Sequence, residues 1–182
     1  MTEDMVKALL ALGSNLGDRT AHLNHAVARI ATLPETRIAG LSTLYETAPV
    51  GGPDDQGPYL NGVVAVESSL GSHQLLRRLH QIEGERERER QIRWGARTLD
   101  LDLLTYGDET SDDPSLELPH PRMHTRRFVM VPVCDVAADR VHPRLGRTMA
   151  ELLDALPDEP GDLVEFDRNW GAKVPLIRSN HL

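Results

Sequence analysis

One cysteine, Cys134, stands in a chain of 182 residues. A single thiol excludes an intrachain disulfide and suits a reducing compartment. Its place in an apolar run points to packing rather than reactivity. Aromatic residues are few as well, with two Trp, three Tyr and two Phe, so each position that holds one carries weight. No apolar run approaches the roughly 20 residues that span a bilayer. The acidic start, Met1-Thr2-Glu3-Asp4, runs straight into a strand pattern, so no secretory leader is expected. The phosphate-cradling patterns G-x-G-x-x-G and G-x-x-x-x-G-K-[ST] are missing, which argues against a parallel nucleotide-binding fold. Basic excess is missing too. The net charge of −8 argues against nucleic-acid binding, which draws its affinity from basic surface. A soluble, cytoplasmic, single-domain protein is expected.

The most informative stretch is Arg93-Trp94-Gly95-Ala96-Arg97-Thr98-Leu99-Asp100-Leu101-Asp102-Leu103-Leu104. Side chains alternate between the faces of a strand, so Leu99, Leu101 and Leu103 share one face and Asp100 and Asp102 the other. Two carboxylates so placed can hold a hard cation such as Mg2+. Residues 86–97 add five arginines, positive charge suited to a phosphate chain. Carboxylates, a metal and arginines together describe a phosphoryl-transfer site.

Periodicity predicts strands over residues 6–12, 38–45, 61–68 and 99–106, and helices over 18–33 and from Ser72 onward. Residues 48–58 read as a Gly/Pro-rich loop, 107–115 as an acidic loop and 120–127 as a basic turn. Two further helices are expected over residues 128–137, around Pro132, and 149–156. The order strand, helix, strand, strand, helix, strand is the split β-α-β, ferredoxin-like arrangement. The expected class is α+β, an antiparallel-rich sheet with helices on its faces. A domain over residues 1–158 and a tail over 159–182 are expected.

Ordered blocks carry a resemblance: 11–17 (ALGSNLG), 45–51 (YETAPVG), 59–61 (YLN), Ile82-Glu83, 93–107, and 118–122 (LPHPR) with Arg126 and Phe128. The chain resembles the 6-hydroxymethyl-7,8-dihydropterin pyrophosphokinase family, which transfers pyrophosphate from ATP to a pterin alcohol in folate biosynthesis. The resemblance implies that Asp100 and Asp102 hold two Mg2+ ions and that Arg88 and Arg97 stabilise the transferring group. ATP, the co-substrate, is implied to meet Glu83, Arg90, Trp94, Arg97, Leu103, His120 and Arg126. The pterin is implied to lie between Tyr59 and Phe128, with Asn61 on its edge, Thr47, Ala48 and Val50 offering backbone, and Trp94 beside its hydroxymethyl group. Ala96 replaces a usual proline, and Arg86-Glu87 a common Leu-Gly. Expected partners are ATP and a pterin alcohol, with no nucleic acid and no membrane, and the expected state is a monomer. Two other readings use the same fold: a non-catalytic nucleotide- or pterin-binding module, and an RNA-binding ferredoxin-like domain. The latter is disfavoured by charge and by the lack of an aromatic strand.

Overall fold

The computed structural model describes residues 4–48, 57–86, 98–157 and 163–172. The apolar run near the start forms β1 (Val6–Ser14). Its Ala8, Leu9, Leu10 and Leu12 are buried although successive residues face opposite sides, which is the mark of a central strand covered on both faces. It pairs antiparallel with β4 (Tyr59–Ser68) on one side and β5 (Asp100–Tyr106) on the other. Two short strands, β2 (Thr36–Leu41) and β3 (Leu44–Thr47), share the far edge of β4. The order along the sheet is β5-β1-β4-β3-β8, with β2 also on β4 and β8 (Leu163–Asp167) closing the far edge.

Helix α1 (Arg19–Ala31) begins at Asp18, whose carboxylate accepts from the Ala21 N–H at 3.1 Å. Its buried stripe is Leu23, Ala26, Val27 and Ile30, the spacing of one helical face. Helix α2 (Ser72–Gly84) buries Leu75, Leu79 and Ile82 in the same way. Both lie on one face of the sheet, over Leu10, Leu12, Leu60 and Val64, in the larger core. Helices α3 (Arg127–Ala137) and α4 (Met149–Asp154) cover the other face. There Met130, Val133, Met149 and Leu152 pack with Leu9, Val63 and Leu104 in a smaller, separate core. This is the α+β, ferredoxin-like arrangement, and every strand pairing among the described residues is antiparallel. No helix among the described residues is long and apolar enough to cross a membrane.

Three segments differ from the sequence expectation. The strand predicted over residues 38–45 is broken at Ser42 and Thr43, giving β2 and β3. At the break the Ser42 hydroxyl accepts from the Val63 N–H at 2.8 Å, so a side chain stands in for a ladder bond. The acidic segment expected as a loop contains a short strand, β6 (Ser111–Asp113), which pairs with β7 (Leu116–Leu118) just beyond it. Beyond residue 158, where a tail is expected, β8 joins β3 and Trp170 enters the larger core. Proline does not end α3: Pro132 lies inside it, unable to donate to the Phe128 carbonyl one turn back. Cys134, on the same helix, is half-buried, and burial raises its thiol to about 11, so it stays protonated near neutral pH.

Candidate active site

Residues of odd number in β1 and β4 face α3, and near the end of β1 that face opens into a cleft of about 250 Å3. The register sets its floor. Gly13 of β1 is opposite Asn61 on one side and Asp100 on the other. Neighbouring strands run about 4.8 Å apart, so Asp100 and Asn61 stand roughly 10 Å apart at the backbone with a glycine between them. A Cβ at Gly13 would meet the Asn61 Oδ1 at 3.0 Å. The glycine therefore leaves the floor open between an acidic end and an amide end. Asp102 follows one register step along, opposite Ala11.

Asp100 and Asp102 both line the cleft. Their strand is the sheet's edge, and its outer side would leave the Leu101 N–H unpaired. The Glu83 carboxylate, from the last turn of α2, accepts that N–H at 2.6 Å. Glu83 thus holds the main chain between the two aspartates. Leu103 is buried in the larger core, away from the cleft, as its alternation with the aspartates requires. A register shift opposite Leu9 and Leu10 makes Leu104 the extra residue of β5, and Leu104 reaches the cleft.

The basic turn reaches the same space. The His120 N–H donates to the Leu104 carbonyl at 2.8 Å, tying the turn to the aspartate strand. His120 Nδ1 accepts from the Arg122 N–H at 3.2 Å, so the neutral ring carries its proton on Nε2. Burial, with help from Arg126 and Arg122, holds its pKa below the usual histidine value. The imidazole is therefore a neutral donor near pH 7. The Arg126 guanidinium, beside it in the cleft, lies 5.6 Å from the centroid of the Phe128 ring.

The amide end is built by β3 and β4. Thr47 and Tyr59 are register partners, and both line the cleft with Asn61 and Ala48. Asn61 Nδ2 donates to the Thr47 hydroxyl at 2.7 Å, which turns its Oδ1 toward Gly13. Phe128, from the first turn of α3, completes the lining with Val129. Of the residues singled out from sequence, the cleft gathers Thr47, Ala48, Tyr59, Asn61, Asp100, Asp102, His120, Arg126 and Phe128. Val50, Arg88, Arg90, Trp94 and Arg97 lie outside the described residues. Gly13, Val63 and Leu104 line the cleft as well, with no sequence motif to mark them as site residues, although alternation from Asp102 directs Leu104 to the aspartate face.

The pattern of the family described as 7,8-dihydro-6-hydroxymethylpterin-pyrophosphokinase (HPPK) matches residues 9–138. The chain belongs to this family. It is 43% identical over 153 residues to a 2-amino-4-hydroxy-6-hydroxymethyldihydropteridine pyrophosphokinase of Pseudomonas aeruginosa, covering 84% of this chain and 93% of that one. It is 41% identical to the enzyme of that name in Haemophilus influenzae, over 85% of this chain and 95% of the other. In fold it is similar to Plasmodium falciparum HPPK-DHPS solved with pterin and p-hydroxybenzoate, with a TM-score of 0.65 and 16% identity. That match covers 85% of this chain, which spans 44% of the Plasmodium chain. This pyrophosphokinase has its cleft between the sheet and α3, and every residue that lines the cleft falls within the matched stretch.

Proposed function

We propose that this pyrophosphokinase transfers the pyrophosphoryl group of ATP to the hydroxymethyl oxygen of 6-hydroxymethyl-7,8-dihydropterin, releasing AMP. The observation that carries the reading is that one cleft receives the Asp100 and Asp102 carboxylates at one end and Tyr59, Asn61 and Phe128 at the other. A flat polar bicycle suits two aromatic walls and an amide on its edge. Asn61 supports this with a fixed acceptor, since its amide nitrogen is committed to Thr47.

The donor set at the acidic end fits Mg2+, because two carboxylates on one strand face offer hard oxygen ligands to the cleft. When bound there, two ions would neutralise phosphate charge and acidify the pterin hydroxyl. The chain's own residues do the positioning. Asp100 and Asp102 are held in place through Glu83, which fixes the peptide between them. His120 Nε2–H and the Arg126 guanidinium would meet phosphate oxygens at the cleft's basic wall. Arg88 and Arg97 are assigned to the charge that shifts during transfer. Alignment and charge stabilisation, rather than a dedicated base, account for the rate. The working form is assigned as a cytoplasmic monomer, with no nucleic-acid or membrane partner, in keeping with the net charge of −8.

A coupled assay for AMP, run with Mg2+ and with or without the pterin, tests the reading. AMP release that depends on both is expected. Binding of pterin and an ATP analogue with no AMP release would instead favour a non-catalytic binding module.

A further inference from the structure

The strand that brings Tyr59, Asn61 and Val63 to the cleft is backed by residues more than a hundred positions later. Gly62 lies among them, and a side chain there would point to the opposite face of the sheet. A Cβ on Gly62 would stand 2.8 Å from Trp170 Cζ2 and 2.8 Å from Leu44 Cδ2. The indole therefore fills the space that the glycine leaves. It is only 3% exposed, and its Nε1–H donates to the Ser42 carbonyl at 2.6 Å. Ser42 in turn holds Val63 twice: its N–H donates to the Val63 carbonyl at 2.9 Å, and its hydroxyl accepts from the Val63 N–H at 2.8 Å. Trp170 thus meets this strand by packing at Gly62 and, through Ser42, by hydrogen bonds at Val63.

The same segment reaches Tyr59 by a second route. Phe166 of β8 lies under the Arg19 guanidinium, 5.6 Å from it to the ring centroid. Arg19 donates to the Pro58 carbonyl at 3.0 Å and pairs with Glu46 at 3.0 Å. Pro58 immediately precedes Tyr59. Past the indole, Gly171 turns with φ of +68° and donates its N–H to the Asn24 side chain at 3.1 Å, fastening the segment to α1. Phe166, Trp170 and Gly171 lie beyond residues 9–138, the part matched by the family pattern, while the residues they touch lie within it.

We propose that residues 163–172 are a buttress that sets the pterin half of the cleft, with Trp170 as its positioning residue. The inference rests on the reading of Tyr59 and Asn61 as pterin contacts. A close-packed interior transmits the loss of a large rigid ring to the strand resting on it. Ring stacking and edge hydrogen bonds are sensitive to displacements of that size. The aspartates are spared, because β5 forms one edge of the sheet and β8 the other. The buttress is therefore selective for one substrate.

The test uses full-length Trp170→Leu, Trp170→Phe, Gly62→Ala and the double variant Gly62→Ala/Trp170→Phe, with Tyr59→Ala as the reporter of the pterin site. The pterin and a non-hydrolysable ATP analogue are titrated separately, well below each variant's Tm. Trp170→Leu is expected to weaken pterin binding about fivefold or more and to leave the analogue within about twofold, with Trp170→Phe close to the parent. Gly62→Ala is expected to weaken pterin binding by pushing on the indole. Adding Trp170→Phe removes the indole side of that clash and leaves the one with Leu44 Cδ2, so it should recover part of the loss. That pair decides the matter if Trp170→Leu does not fold. A lowered Tm with both affinities unchanged, or equal loss of both ligands, would overturn the buttress. If Tyr59→Ala weakens the pterin while the Trp170 and Gly62 variants do not, the buttress fails and the pterin placement stands. If Tyr59→Ala is silent, the pterin placement fails and takes the buttress with it.

Discussion

Thr47 accepts a 2.7 Å hydrogen bond from the amide nitrogen of Asn61, and the two side chains come from adjacent strands 14 residues apart in sequence. The bond decides which way the amide faces, since the nitrogen is occupied and the oxygen is left over Gly13. Thr47→Val keeps the shape and removes the acceptor, so the amide should rotate. A hydrogen bond of this kind contributes about 0.5–1.5 kcal/mol net. Pterin affinity is expected to drop up to about tenfold, with ATP-analogue affinity unchanged in the same titration. Gly13→Ala should act in the same direction by crowding Oδ1.

Asp100→Asn and Asp102→Asn should each abolish most Mg2+-dependent turnover while leaving the fold intact. Both carboxylates line the cleft rather than the core, so circular dichroism and Tm should change little. Activity within about tenfold of the parent at saturating Mg2+, only ~1.4 kcal/mol of barrier, would count against the metal assignment.

Glu83→Ala should lower kcat without a matching loss of ATP-analogue affinity, because it frees the Leu101 N–H and loosens the strand between the aspartates. Glu83→Gln retains an acceptor oxygen and should recover a good part of the rate. Equal damage from both substitutions would mean that the charge of Glu83, not its hold on the strand, is what matters.

Tyr59→Ala and Phe128→Ala should each weaken pterin binding several-fold, since a stacked ring contributes about 0.5–1.5 kcal/mol beyond its buried area. Tyr59→Phe keeps the ring and should be mild. Calorimetry on the three variants separates stacking from a role for the hydroxyl.

Acid should weaken the fold through His142. Its Nδ1 accepts from the Arg144 and Leu145 N–H groups at 3.3 and 3.1 Å, and the ring packs edge-on against His124. Burial first, then His124 and Arg144, hold its pKa below the usual 6.5. The unfolded chain therefore takes up a proton before the folded one, so stability is full above about pH 6.5 and declines as pH falls below it. In His142→Asn, Tm measured between pH 7.5 and 5 should lose part of that slope. An unchanged slope would place the acid sensitivity elsewhere.

Alternation alone separated Asp100 and Asp102 from the leucines of their strand, because a period of two holds wherever the strand is regular. It could not show the irregularity at Leu104, which depends on how β1 pairs with it. The Thr47–Asn61 bond and the Gly13 gap likewise need the register, which no local pattern states. β8 escaped notice for a different reason. Leu163 to Asp167 is short, acidic and half-exposed, and its place in the sheet comes from β3 rather than from its own propensity. The aromatic pair was picked out by family resemblance, since Tyr59 and Phe128 are individually indistinguishable from packing residues. Pro132 left the extent of α3 ambiguous, and tertiary packing of Met130 and Val133 settled it.

The sheet divides the interior into two cores that do not merge, and the cleft belongs to the thinner layer. Phe128, Val129 and Arg126 reach it from α3 and its approach, while the floor belongs to the sheet. Layers with separate cores open with separate free energies, and the one with less buried surface opens more often. Amide hydrogens in α3 and α4 should therefore exchange sooner than those in β1 and β4. A ligand clasped between floor and layer adds its binding free energy to that opening and to global unfolding alike. Occupancy should then be readable as slowed exchange in α3, leaving those openings of the α1 and α2 layer that keep the cleft intact at their original rates.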